Sequence, residues 1–95
     1  MQNNNNKVYI VVAFDNDGLP LILQYRNVLS WGFYNNAPKT FANVKTATRH
    51  AIKTYLKYNT KGVKVYEVDK QQQISSDMFN LHDHKEKYRI GAYVN

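Results

Sequence analysis

Cysteine is absent from this 95-residue chain, and glycine and proline are scarce, at four and two residues. Without cysteine the chain forms no disulfide and no thiolate metal site, which is consistent with a reducing cytosol. No apolar segment approaches the ~20 residues of a membrane-spanning helix. The polar start, MQNNNNK, lacks the apolar core of a signal peptide. We therefore expect a cytoplasmic protein that does not enter the membrane.

The signatures of catalysis are also missing from the sequence. The serines have no nucleophile-elbow motif around them, and His50 is far in sequence from a suitable carboxylate. The four glycines are scattered, so that no glycine-rich loop is available to hold a phosphate. We therefore predict that the protein is not an enzyme and requires no cofactor.

Acidic residues are missing from the whole middle of the chain. No Asp or Glu occurs between Gly18 and Tyr66, and all seven acidic residues lie outside this segment. The formal net charge of the chain is +6. A surface potential of one sign attracts phosphate backbones or acidic protein surfaces. The basic residues of the acid-free segment are Arg26, Lys39, Lys45, Arg49, Lys53, Lys57, Lys61 and Lys64.

The first half of the chain predicts a three-stranded antiparallel unit. Lys7 to Phe14 alternates in strand register and is apolar on both faces, which is typical of a central, covered strand. Asp15 to Gly18 (DNDG) predicts a tight hairpin turn, because Asp-Gly tolerates positive φ angles. A second strand begins near Pro20, and Val28 to Tyr34 predicts a third.

The second half predicts one principal helix between further strands. Asn43 is a good N-cap for a helix from Val44 to about Tyr58, and Gly62 is the expected left-handed residue after it. The residues expected to face the sheet are Val44, Ala47, Ala51, Tyr55 and Tyr58. Later segments predict a strand at Val63–Val68, a short helix capped by Ser76, and a closing strand at Tyr88–Val94.

These elements predict an α+β fold in the order β-β-β-α-β-short helix-β, with the helix packed on one face of a small antiparallel sheet. We expect residues 7–95 to form a single domain. Residues 1–6 are expected to be a disordered polar tail. The sequence does not decide between a monomer and a homodimer.

Four basic residues recur at intervals of four along the predicted helix: Lys45, Arg49, Lys53 and Lys57, which we call the basic row. Such a row is about 18 Å long and turns around the helix by only ~40° per step, so it spans several phosphates or an acidic groove. Ile52 and Leu56 border the row and could supply the apolar contacts of an interface. The alternative is a solvated helix side with Ile52 and Leu56 at the rim of the core.

A metal site is a second hypothesis. His82 and His84 share one face if the segment is extended, and Asp83 joins them if it forms a turn. A closed zinc site needs four ligands, so His50, Asp77 or Glu86 would have to complete it. Without cysteine or a second spaced pair, two exposed loop histidines are the interpretation that we favour.

Direct nucleic-acid binding is the alternative to a protein partner. Tyr and Trp side chains on the sheet could stack bases beside Lys64 or Arg26. No RNP strand, GXXG loop, zinc finger or helix-turn-helix pattern is present. This alternative is therefore a sequence-tolerant nucleic-acid-binding regulator.

One resemblance bears on the partner. It rests on these features in chain order: the strand VYIVVAF, the DNDG turn, a returning strand, Trp31, Ala37, Phe41, the helix with Ala47 and Ala51, and the strand VKVYEV. Together they resemble small accessory proteins of phages and other mobile elements of low-GC Gram-positive bacteria. The resemblance covers about residues 7–69. Some such proteins inhibit host defences, including type II CRISPR nucleases. It implies a non-enzymatic anti-CRISPR-type inhibitor in the cytoplasm of the infected or carrying bacterial cell, bound to a host protein or nucleoprotein.

Overall fold

The computed structural model describes residues 6–30 and 38–91. It contains five strands, one α-helix and one short 3-10 helix. The strands are β1 (Lys7–Phe14), β2 (Pro20–Gln24), β3 (Val28–Ser30), β4 (Gly62–Asp69) and β5 (Tyr88–Gly91). The α-helix, α1, spans Val44–Lys57, and the 3-10 helix spans Ser76–Met78. The predicted polar tail lies almost wholly outside the described residues, as do Trp31 and the ends of the predicted third and closing strands.

The strands form one antiparallel sheet in the order β3-β2-β1-β4-β5. β1 and β4 pair along their full lengths, from Lys7 opposite Asp69 to Phe14 opposite Gly62. Because α1 packs against β1, β4 and β5, the helix lies across the middle and one side of the sheet. The predicted α+β architecture with a single principal helix on the sheet is confirmed.

The sheet has an apolar layer on each face, and the alternation of β1 explains both. Val11 and Ala13 point to the helix side, where they pack with Ala47 and Ala51 of α1 and with apolar residues of β2, β4 and β5. Ile10, Val12 and Phe14 point to the opposite side. Since all residues from Ile10 to Phe14 are completely buried, β1 is the covered central strand that its composition predicts.

The segment after β4 covers the face of the sheet that α1 does not. Ile74, Phe79 and Leu81 are buried there against β1, β2 and β4. The rings of Tyr66 and Phe79 lie 4.5 Å apart between centroids. This polar-looking segment therefore provides a second core layer, through three apolar residues spaced too irregularly to predict a regular element.

Local hydrogen bonds define the β1–β2 turn and the start of α1. Asp15 Oδ1 accepts hydrogen bonds from the amides of Asp17 and Leu19, each at 2.9 Å, and Gly18 has a φ of 82°. Asn43 Oδ1 accepts a hydrogen bond of 2.9 Å from the amide of Thr46, which is the expected N-cap. Both local predictions are confirmed.

Three local predictions about the helices are wrong. α1 ends on Tyr58 in an extended conformation, and Gly62 begins β4 without a left-handed φ. On the helix, Thr54 is buried whereas Val44 is 37% exposed, because the packed arc is centred nearer Ala47 and Ala51. The N-cap of the 3-10 helix is Ser75, and Ser76 is buried inside it.

Candidate anion-binding surface

All four members of the basic row are exposed on α1. The buried residues of the helix are Ala47, Ala51 and Thr54, so the row begins on the side that faces away from the sheet. Each step of four residues turns about 40° around the helix axis. This rotation carries the row from the outer side of α1 at Lys45 to the flank beside the β2–β3 turn at Lys57.

A cleft of about 160 Å³ lies where the second half of the basic row meets the β2–β3 turn. We call it the helix–turn cleft; its lining residues are Asn27, His50, Lys53, Thr54, Lys57 and Tyr58. Among the described residues, no carboxylate lines the cleft, and two of the lining residues are lysines. The cleft thus combines a concave shape with positive charge.

The β2–β3 turn is held against the end of α1. The Tyr58 hydroxyl donates a 2.9 Å hydrogen bond to the carbonyl oxygen of Asn27, and Lys39 Nζ donates one of 2.8 Å to Asn27 Oδ1. Arg26 and Asn27 have positive φ angles of 72° and 58°. Asn tolerates this conformation better than most residues. The left-handed turn therefore places Asn27 in the lining of the cleft, and a third cation, Lys39, contacts Asn27.

His50 reports on the electrostatics of the cleft. Its ring packs on the buried ring of Phe41, with 4.6 Å between the centroids. Burial, followed by the positive charges of Lys39, Lys53 and Arg49, lowers the pKa of His50 below its ordinary value. These cations disfavour the protonated form of His50, so the ring lies in a positive local potential. An anion is attracted to such a potential.

The carboxylates that form ion pairs are engaged with other cations. Within residues 6–30 and 38–91, the ion pairs join Lys7 with Asp69, Lys87 with Glu67, Arg89 with Glu86, and Lys64 with Asp83 and Glu86. No member of the basic row forms an ion pair with a described carboxylate. The positive charge of the row is therefore not neutralised by the described part of the chain.

Lys64 cannot contact a nucleic acid, contrary to the suggestion made from the sequence. It is completely buried on the sheet face opposite α1. Its Nζ donates a 2.8 Å hydrogen bond to the carbonyl oxygen of Asp83 and lies 3.2 Å from Asp83 Oδ1 and 3.3 Å from Glu86 Oε1. The charge of Lys64 stabilises the loop that carries these acids instead of adding to the surface.

The histidine-containing loop shows no metal geometry. His82 and His84 are exposed, while the Asp83 carboxylate accepts hydrogen bonds from the Tyr66 hydroxyl and the Asn80 amide. In the described ranges, no group of three or more His, Asp or Glu side chains is placed to hold a metal ion. Because Asp83 points into the protein between its two exposed neighbours, the zinc hypothesis gains no support, and it stays a prediction.

The apolar neighbours of the basic row differ in exposure. Leu56 is 77% exposed, the largest value among the exposed large apolar residues of the described chain, and Ile52 is half-buried. The rim-of-the-core interpretation therefore applies to Ile52 in part and not to Leu56. An exposed leucine beside cations that pair with no described carboxylate is available for contact with a partner.

Most of the cleft was not predicted from the sequence. Lys53 and Lys57 were singled out, but Asn27, Thr54, Tyr58 and neighbouring Lys39 were not assigned to the site. An Asn between two short strands is a turn signal. That signal would have located the turn without showing that it contacts α1.

Comparisons of the chain with protein-family models, with curated proteins and with solved structures give no match. Among the described residues, no helix is both long and apolar enough to cross a membrane.

Proposed function

We propose that this protein is a non-enzymatic binding protein that uses the basic row of α1 to attach to a negatively charged surface of a larger assembly. The observation that carries the proposal is that all four cations of the row are exposed and none is paired with a described carboxylate. Leu56 supplies an apolar contact beside them. Charge steers the encounter, and the apolar contact slows dissociation.

The partner that we propose is a host defence nucleoprotein, and specifically a type II CRISPR nuclease with its guide RNA. The resemblance to small phage-type accessory proteins supports this choice. A net charge of +6 argues against mimicry of DNA, which requires a negative surface. Attachment to an acidic domain, or to a position from which DNA loading is obstructed, agrees with the sign of the charge.

The experiment measures binding of the purified protein to the purified guide-loaded nuclease, together with inhibition of target-DNA cleavage. We expect the double variant Lys45→Glu/Arg49→Glu to lose both activities. The control is Lys70→Glu/Lys85→Glu, which has the same change in net charge at two other exposed lysines. Full binding by the row variant would refute the proposed site. No binding by the unmodified protein would refute the proposed partner.

Direct binding of nucleic acid is the second candidate, and the helix–turn cleft favours it because two of its lining residues are lysines. This function requires that the isolated protein binds DNA or RNA with an affinity that falls steeply as salt rises. Capture experiments with and without nuclease treatment separate it from direct protein binding. The absence of any complex with polynucleotides at low salt would reject it.

A further inference from the structure

We infer that the helix–turn cleft binds a single phosphate group, which is either a terminal phosphate or one phosphate of a nucleic-acid backbone. The inference deepens the proposed function, and it rests on that function for the identity of the larger partner. It assigns the two halves of the basic row different tasks. Lys45 and Arg49 face outward from α1, whereas Lys53 and Lys57 line the cleft.

The volume of the cleft matches a phosphate group better than a larger ligand. Sites that enclose a drug-sized molecule have volumes of roughly 300–1,000 Å³. The volume of about 160 Å³ lies below this range. One phosphorus with four oxygens is much smaller than a drug-sized ligand and suits a cleft of this volume.

The donors around the cleft suit an oxyanion. Lys53 and Lys57 contribute ammonium groups, and Thr54, which is only 4% exposed, contributes a hydroxyl. Asn27 Oδ1 already accepts a hydrogen bond from Lys39, so the group left on its side chain is a donor. Charge-assisted hydrogen bonds from such groups are the strongest that a phosphate receives.

The position of the cleft at the C-terminal end of α1 opposes anion binding, and the cations must outweigh it. The carbonyl groups of a helix C-terminus act as about half a negative charge. Lys39, Lys53 and Lys57 bring three full positive charges to the same region. The sum is positive, and it agrees with the pKa of His50, which is lowered first by burial and then by positive charges that include those of Lys39 and Lys53.

The test uses the isolated full chain and follows the His50 ring by NMR while inorganic phosphate is added at constant ionic strength. We expect saturable shifts of the His50 signals, with no movement of the His82 and His84 signals from the loop on the other side of the sheet. Two further titrations use a short oligonucleotide with a 5′-hydroxyl and the same oligonucleotide with a 5′-phosphate. Shifts with the phosphorylated form only identify a terminal phosphate, and shifts with both identify the backbone.

Matched variants separate a built site from general attraction. We expect Lys53→Gln/Lys57→Gln to weaken phosphate binding by about tenfold or more, since charge-assisted hydrogen bonds are lost. Lys45→Gln/Lys70→Gln removes the same charge at two exposed lysines outside the cleft and is expected to leave phosphate binding within about twofold. Equal weakening by the two variants, or no saturable shift of His50 with any of the three ligands, would overturn the inference.

The result is also distinguishable from failure of the proposed function. If phosphate does not bind but Lys45→Glu/Arg49→Glu still abolishes attachment to the nuclease, the basic row keeps its role and the cleft loses its own. If phosphate binds at the cleft but the nuclease does not, the phosphate site stands, and the proposed partner is wrong.

Discussion

Replacement of the buried Lys64 by methionine is the sharpest test of how this fold is stabilised. Methionine has a similar length and keeps the apolar contacts of the side chain, but it removes the ammonium group. Asp83 and Glu86, whose side chains are only 12% and 10% exposed, then lose the cation that lies between them. The ammonium also lies 5.7 Å from the centroid of the Phe14 ring, and this contact is lost as well.

The expected cost follows from the burial of the network. Removal of one partner of a buried ion pair typically costs about 3–5 kcal/mol, because the remaining charge is left in a poorly hydrated site. A domain of this size has a free energy of unfolding of about 5–15 kcal/mol. We therefore expect Lys64→Met to remove a large part of the free energy of unfolding.

The assay is urea unfolding at neutral pH, followed by far-ultraviolet circular dichroism, for three variants. Lys7→Met is the control, because it breaks the Lys7–Asp69 pair, whose side chains are 49% and 58% exposed. Exposed pairs contribute about 0–1 kcal/mol. The third variant, Lys64→Met/Asp83→Asn/Glu86→Gln, neutralises the whole network and is expected to recover about half or more of the loss.

Two results would refute this reasoning. One is a cost for Lys64→Met that does not exceed that of Lys7→Met. The other is a triple variant that is less stable than Lys64→Met alone. Replacing the two carboxylates by neutral amides removes the buried charges that Lys64→Met leaves without a cation, and this should restore stability.

The remaining predictions concern acid stability and a close backbone contact. Burial raises the pKa of Asp83, but hydrogen bonds from the Asn80 amide, Tyr66 and Lys64 outweigh it and hold that pKa below its ordinary value. The charged carboxylate therefore stabilises the fold. This contribution is full above about pH 5 and is lost as pH falls below 4 through the folded pKa. The stability gap between the native chain and Asp83→Asn should narrow between pH 6 and pH 3, and a constant gap would contradict the assignment. Gly91 has a φ of 121°, and a Cβ at this position would lie 2.6 Å from the Cα of Gly62. At Gly18, which also has a positive φ, the nearest atom to an added Cβ would be 3.7 Å away. We therefore expect Gly91→Ala to reduce the free energy of unfolding by more than the ~1–2 kcal/mol expected of Gly18→Ala. Equal midpoints in urea for these two alanine variants would disprove the close contact.

Where sequence reasoning succeeded, the information was local. Asn43 predicted the start of α1 because its side chain bonds an amide three residues later. The β1 strand was recognised as central because successive residues on both its faces are apolar. Gly62 was misassigned because glycine after a helix is also compatible with the start of a strand.

The candidate site could be predicted only in part. The spacing of the basic row depends on helix geometry alone, so its exposure on α1 could be predicted from the residues. Lys64 belongs to the same acid-free segment but is buried, because β4 directs it to the opposite face of the sheet, where Asp83 lies 19 residues further along the chain. No local pattern distinguishes a lysine that meets a distant carboxylate from one that meets water.

The sequence by itself determined the strands, the helix, the positive charge and its separation from the acidic residues, since each depends on composition or on neighbours within a few positions. Only the tertiary structure decided which cations remain available. It turned Lys64 into the core and brought the β2–β3 turn to the end of α1, where Lys39 and Asn27 join Lys53 and Lys57. The reason is that pairing and burial of charge depend on distances between residues far apart in the chain, and these distances exist only after the sheet has formed.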